Sequence, residues 1–149
     1  MARVRLSIKA IIIRDGRLLA VQNRDAEGDW YVLPGGGQEA GETVPAALRR
    51  ECLEEIGATV RLGRLRFVRD YIARHHEFAA SDDSHQVELM FECELESAPM
   101  LGSRPDSMQT GIAWLELQDL ASFRLYPRVL RTALLADALD APIYLGDVN

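Results

Sequence analysis

A chain of 149 residues is one domain by size and long enough to bury a core. With 48% hydrophobic and 27% charged residues, it has the composition of an ordinary globular protein. The formal net charge of −6, with no block of like charges, argues against nucleic acid or an anionic membrane as partner, since both need an electropositive face.

The opening run, MARVRLSIKAIIIRDG, is too short an apolar stretch for a signal h-region or a membrane span, so the expectation is a cytoplasmic protein. Residues 4 to 13 predict a strand, and Asp15-Gly16 turns it into a second over Arg17 to Gln22. A polar loop, Ala26 to Asp29, leads to a short extended segment from Trp30 to Leu33, and Pro34 holds its predecessor out of helix. Gly35, Gly36 and Gly37 then predict a turn at which backbone approaches a ligand closely. A helix is predicted from Thr43, a good N-cap, with Pro45 in its first turn and Gly57 as its stop. Val44, Ala47, Leu48, Cys52 and Ile56 recur at helical spacing as its packing face.

Thr59 to Ala73 reads as a strand and Arg74 to Ser84 as a polar loop. His85 to Leu95 alternates, predicting Val87, Leu89, Phe91, Cys93 and Leu95 on a buried face and Glu88, Met90, Glu92 and Glu94 on the other. Ser97 to Thr110 is a second loop, Gly111 to Leu115 a short strand, and residues 117 to 123 a helical turn. Pro127 opens a predicted last helix reaching Leu139, with Val129, Leu130, Ala133, Leu134 and Ala138 inward, and Ile143 to Leu145 predict a final strand. Cys52 and Cys93, without a C-x-x-C, read as reduced core thiols. The order predicts one α/β domain over 1–149, with a helix on either side of a mixed sheet.

Glu51, Glu54 and Glu55 project within a sector of about 100° on one side of the first helix. Like charges at this spacing cost roughly 0.2–0.5 kcal/mol, and acids in a last turn face the negative end of the dipole at about 0.3–1 kcal/mol each. Arg49 and Arg50 offset part of this, and a divalent cation, which takes several carboxylate oxygens, would offset the rest. On a helix taken alone, such a cluster reads as a solvated face; the glycine run before it shifts the reading toward a metal.

At these residues the chain resembles the Nudix hydrolase family, whose signature is G-x5-E-x7-R-E-U-x-E-E-x-G-U, with U a bulky aliphatic residue. Gly36, Glu42, Arg50, Glu51, Glu54, Glu55 and Gly57 match every fixed position, and only the U positions depart, with Cys52 and Ala58. The W-x-x-P-G-G run at Trp30 to Gly36 and the strand ending in Trp114 extend the likeness along most of the chain. The resemblance implies an α/β/α sandwich and hydrolysis of a nucleoside diphosphate linked to another moiety, with Mg²⁺ or Mn²⁺ activating the attacking water. It implies Glu51 and Glu55 as main metal ligands, Glu54 sharing or bridging a second ion, and the Gly35 carbonyl as a backbone ligand. It implies further that Arg50 orients Glu51, that Glu42 braces the loop against the helix, and that a small-molecule nucleotide is the partner. A homodimer is compatible with it.

The signature leaves the general base open. Glu88, facing away from the apolar side of its strand, is the first candidate and Asp106 the second, though a charge on an open sheet face explains Glu88 equally well and a plain turn explains Asp106 better. Arg24, Arg69 and Arg74 are candidates to clamp phosphates. His75, His76 and His85 could contribute to a pocket, and Tyr31, Tyr71 and Phe78 could stack a base. H-Q-V-E-L at His85 and Q-T-G-I-A-W at Gln109 resemble a branch labelled ADP-ribose pyrophosphatase-like. Nucleoside diphosphate sugars including ADP-ribose therefore come first, (d)NTP sanitation second and capped or triphosphate RNA third. A non-catalytic nucleotide sensor is the alternative of another class.

Overall fold

The computed structural model describes residues 3–77, 83–136 and 142–149. Its first sheet joins β1 (Val4–Ile11), β5 (Gly35–Gly37), β6 (Val60–Ile72), β7 (His85–Leu95) and β10 (Tyr144–Asp147) in the order β10-β6-β7-β1-β5. β1 runs parallel to β7 and antiparallel to β5, while β6 is antiparallel to β7 and parallel to β10. The second sheet joins β2 (Ile13–Arg14), β3 (Arg17–Asp25), β4 (Gly28–Val32) and β9 (Leu125–Tyr126), with β8 (Gln109–Glu116) on the other side of β3. Both sheets are mixed.

Alternation along the first strands divides the core in two. Ile8, Ala10, Ile12, Leu19 and Val21 pack against Ala47, Leu48, Cys52 and Ile56 of the helix α1 (Val44–Ile56). Their sequence neighbours Ile11, Leu18 and Ala20 face the opposite way, onto Phe67, Met90, Leu120, Leu125 and Leu130. A 3-10 turn at Leu117–Ser122 and the short helix α2 (Leu130–Ala133) close that second core. Strands buried on both faces need a cover on each, which gives the α/β sandwich expected from the sequence. Among the described residues, no helix is long and apolar enough to cross a membrane.

The predicted start and end of α1 hold. Thr43 is the N-cap, its hydroxyl accepting from the Ala46 N–H at 3.2 Å, and Gly57 ends the helix in the left-handed region at φ 59°. Both cysteines are free and buried, and burial pushes the Cys93 thiol up to about 12.

Four expectations need correction. The strand predicted over 4 to 13 breaks at Ile12, which leaves β2 to pair with the second sheet. The glycine run is a strand, β5, in register with β1 (Ser7 opposite Gly37, Lys9 opposite Gly35). In β7 the buried residues are Glu88, Met90 and Cys93, whereas Val87, Leu89 and Phe91 are partly exposed, because the supposed open face is covered by the second core and by Arg69. Finally, pairing of Leu125 and Tyr126 with β4 keeps the chain extended, and i→i+3 bonds from Leu130, Arg131 and Thr132 delay the α-helix to Leu130. The helix ends at Ala133 and gives way to turns over 134–136, and the last residues predicted for it, including Ala138 and Leu139, lie outside the described residues.

Candidate active site

Two pieces of backbone bring the acidic side of α1 against the glycine strand. Gly35 lies at φ 135°, and a Cβ there would run into the Ile8 carbonyl of β1, so only glycine allows β1 and β5 to pair this closely. Its N–H donates to Glu55 Oε1 at 2.8 Å. One residue on, a Cβ at Gly36 would sit 2.6 Å from the carboxylate carbon of Glu51, so the missing side chain is the space that carboxylate fills.

Arg50 ties the acids together. It donates from Nε and Nη2 to the two oxygens of Glu42 at 2.7 and 3.0 Å, and from Nη1 to Glu51 at 3.0 Å and Glu54 at 3.4 Å. Nη2 also reaches the Gly37 carbonyl at 3.0 Å, and Glu42 accepts from the Glu39 N–H at 2.9 Å. The glycine strand, its following loop and the helix are thus joined through one guanidinium. These bonds hold the Glu42 carboxyl below its usual range, with Arg50 the largest cause.

Glu55 is different. Only 2% of it is exposed, and burial pushes its carboxyl up to about 7 against the opposing pull of Lys9 and the Gly35 N–H. Asp106 acts on Glu55 from the loop before β8, adding to the upward shift. Among the described residues, no three His, Cys, Asp or Glu side chains converge as they stand into a group that could hold a metal ion.

The end of α1 is held by residues that its own sequence does not announce. The N–H groups of Met100, Gly102 and Arg104 donate to the carbonyls of Ile56, Glu55 and Glu54 at 2.8, 3.1 and 3.0 Å. Gln109 Nε2 adds a bond to the Glu55 carbonyl at 2.9 Å. The otherwise orphaned carbonyls of the last turn are thereby satisfied, and the loop over 97–108 is fixed beside the acids.

Behind Gly35, on the sheet face away from α1, lies a cavity of about 590 Å³. Lys9, Arg69, Tyr71, Gln86 and Glu88 line it from the first sheet, Trp30, Val32 and Tyr126 from the second, with Asp25 and Arg124 at its edge. Glu88 is 4% exposed and accepts from Arg69 Nε at 3.2 Å; Arg69 Nη1 donates to the Val148 carbonyl at 2.6 Å. The Arg69 guanidinium also lies over the Tyr71 ring. Lys9 donates to the Leu33 and Gly35 carbonyls at 3.3 and 3.1 Å, so it touches both the cavity and the glycine strand.

Of the residues singled out from the sequence, Glu42, Arg50, Glu51, Glu54, Glu55 and the glycines come together, and Arg69, Tyr71 and Glu88 join the adjoining cavity. Arg24 is exposed and paired with Asp29 at 2.9 Å, and Arg74 is exposed beside Asp83 at 3.9 Å; neither lines the cavity. His75 and His76 share Asp147 at 2.7 Å each, and His85 bonds Asp70 at 2.8 Å, all three outside the cavity wall. Tyr31 packs edge-on against Phe123 in the second core. Phe78 lies outside the described residues. Lys9, Gln109 and the 100–104 backbone were missed; the one signal in the sequence was a lysine, unique in the chain, amid an apolar strand.

The family model described as NUDIX domain matches residues 3–134. A curated relative, Nucleoside triphosphatase NudI of Escherichia fergusonii, is 30% identical over 129 residues, spanning 83% of this chain and 89% of the relative. The crystal structure of a MutT NUDIX hydrolase from Burkholderia pseudomallei is 28% identical, with a TM-score of 0.61 over 78% of this chain and 85% of that one. An ADP-ribose pyrophosphatase from Streptococcus suis, 21% identical, shares the fold at a TM-score of 0.66 over 97% of this chain and 98% of that one. The chain belongs to the Nudix family. As a member it is a pyrophosphohydrolase acting on a small nucleotide.

Proposed function

We propose that the chain hydrolyses the pyrophosphate bond of a nucleoside triphosphate with the help of Mg²⁺ or Mn²⁺, releasing nucleoside monophosphate and pyrophosphate. The observation that carries the metal is the donor set at Gly36. The Glu51 carboxylate fills the space a Cβ at Gly36 would take, the nearly fully buried Glu55 accepts from the neighbouring Gly35 N–H, and Glu54 shares Arg50 with Glu42 and Glu51. Such a surplus of hard oxygen donors fits a divalent cation. Glu51, Glu54 and Glu55 would hold it, with the Gly35 carbonyl adding a backbone oxygen. A divalent cation held by these residues would supply neutralisation of phosphate charge and a lowered pKa for an attacking water.

The chain's own residues do the rest. Arg50 holds Glu51 and Glu54 together on its Nη1, and Glu42 fixes Arg50 through Nε and Nη2. Glu88, buried in the cavity wall with one oxygen accepting from Arg69, is the candidate to take the proton of the attacking water. Asp106, exposed in the loop and acting on Glu55, is the second candidate. The aromatic and polar walls of the cavity suit a nucleoside.

Nucleoside triphosphates are placed first because the 30% identical relative carries that activity in its name. A nucleoside diphosphate linked to another moiety is the second reading, favoured by further polar side chains in the cavity wall, Gln86 and Asp25. A panel of nucleoside triphosphates, ADP-ribose and nucleoside diphosphate sugars, each with Mg²⁺ and Mn²⁺, separates the two by product. Pyrophosphate release from triphosphates is expected; a sugar phosphate would support the second reading. No turnover on any of them would overturn both.

A further inference from the structure

Three cationic side chains line the cavity, and two of them are neutralised where they stand. Arg69 is paired with the buried Glu88, and Arg124 forks onto both oxygens of Asp25 at 3.2 and 3.1 Å. Lys9 differs, since its hydrogen bonds go to two neutral carbonyls, Leu33 and Gly35, and its charge acts on Glu55 only through space, without an ion pair among the described residues. An ammonium has three N–H donors, so two carbonyls leave it with further donor capacity and a full formal charge.

Position adds to this. Lys9 stands on β1 with Ser7 and Ile11 on the face away from α1, in register with Gly35 on one side and Met90 on the other. It therefore sits at the seam between the cavity and the carboxylates. A nucleotide whose base occupies the cavity and whose pyrophosphate reaches α1 has to lay its phosphates across this seam. A carboxylate wall repels those phosphates, and a lone ammonium is the group that offsets the repulsion as a point charge.

We propose that Lys9 is the phosphate-binding residue of this active site, holding the phosphate nearest the nucleoside while its bonds to the Leu33 and Gly35 carbonyls fix the glycine strand under Glu55. The role rests on the cavity being the nucleotide site.

The test measures binding without divalent metal, so that metal ligation does not enter. Wild-type protein, Lys9→Met and Lys9→Arg are titrated in EDTA with α,β-methylene analogues of the four common nucleoside triphosphates, and by NMR with the four unphosphorylated nucleosides. Lys9→Met is expected to lose about tenfold or more in affinity for the analogues, the size of a charge-assisted hydrogen bond. Nucleoside shifts should stay unchanged, and Lys9→Arg should recover most of the loss. In turnover assays KM should rise more than kcat falls. Equal analogue affinity in Lys9→Met and wild type would overturn the proposal. Equal losses for nucleosides and analogues would overturn it too, because a merely structural role moves both. Wild-type protein that binds no analogue would overturn the cavity reading and this proposal with it.

Discussion

Two arginine–carboxylate arrangements flank the proposed active site, and they are built for opposite ends. At α1, Arg50 serves Glu42, Glu51 and Glu54 with side chains that keep 16–26% of their surface in solvent, all supplied by residues 37 to 54. In the cavity wall, Arg69 and Glu88 come from neighbouring strands, keep 9% and 5% of side-chain surface, and match one charge with one. The first network leaves negative charge in excess, as a cation site requires. The second is neutral and costs several kcal/mol of desolvation per ion before its attraction is counted, so it shapes a wall and leaves no excess charge to hold a cation. On the proposed reading, the excess charge at α1 marks the cation-binding end, and the matched pair lines the nucleotide cavity beside it.

The comparison can be broken most severely at Glu55. Glu55→Gln should lower kcat by on the order of 10³-fold, the scale of losing several kcal/mol of transition-state charge stabilisation, with an unchanged circular dichroism spectrum. A rate within a few-fold of wild type would remove Glu55 from the reactive end. Next in size, Glu88→Gln leaves the Arg69 guanidinium buried without its counter-charge. Urea denaturation should show a loss of about 3–5 kcal/mol, and a loss under about 1 kcal/mol would show that the wall is not held by this pair.

A third effect separates the two carboxylates by pH. The Glu55 carboxyl is raised to about 7 by burial, so between its unfolded value near 4.5 and about 7 the folded state keeps a proton that the unfolded state has lost. The stability associated with that proton is fully present below about pH 4.5 and is lost as pH rises through about 7. In metal-free buffer, Glu55→Gln should therefore gain stability relative to wild type across that window, reaching about 3 kcal/mol by pH 8. Melting curves at pH 4, 6 and 8 check it; a difference that does not grow with pH contradicts the burial of an ionisable Glu55. The smallest effect is at Gly36. In Gly36→Ala the Glu51 carboxylate, the end of a flexible side chain, has to shift, so kcat/KM should fall by about 10–100-fold, as for other supports of metal ligands. The melting temperature should barely change, and a cooperative loss of fold would show instead that the strand cannot give way.

The two regions also differ in how far they could be read from sequence. The α1 network was legible because its parts repeat at helical spacing within one short stretch: Thr43 and Gly57 mark its ends, and Arg50, Glu51, Glu54 and Glu55 its polar side. The cavity was not, because its wall is assembled from strands distant in the chain. Glu88 stands out in sequence only for facing away from the apolar side of its strand, which an open sheet face explains as well, whereas it is buried against Arg69 in the cavity wall. Lys9 sits in a run that reads as ordinary strand, and only the β1–β5 register shows that it faces Gly35. The bonds from Met100, Gly102 and Arg104 to the end of α1 are made by backbone, which carries no side-chain signature. The glycines misled in a smaller way, since three in a row predict a turn, and pairing with β1 made them a strand.

The central claim is that the α1 carboxylates hold a divalent cation, and the most direct measurement is Mn²⁺ binding followed by electron paramagnetic resonance in wild type and in Glu55→Gln. Binding that weakens at least about tenfold in the variant, with the fold intact, is the predicted result. Superimposable binding curves, or no Mn²⁺ bound by wild type with or without an α,β-methylene nucleotide, would contradict it.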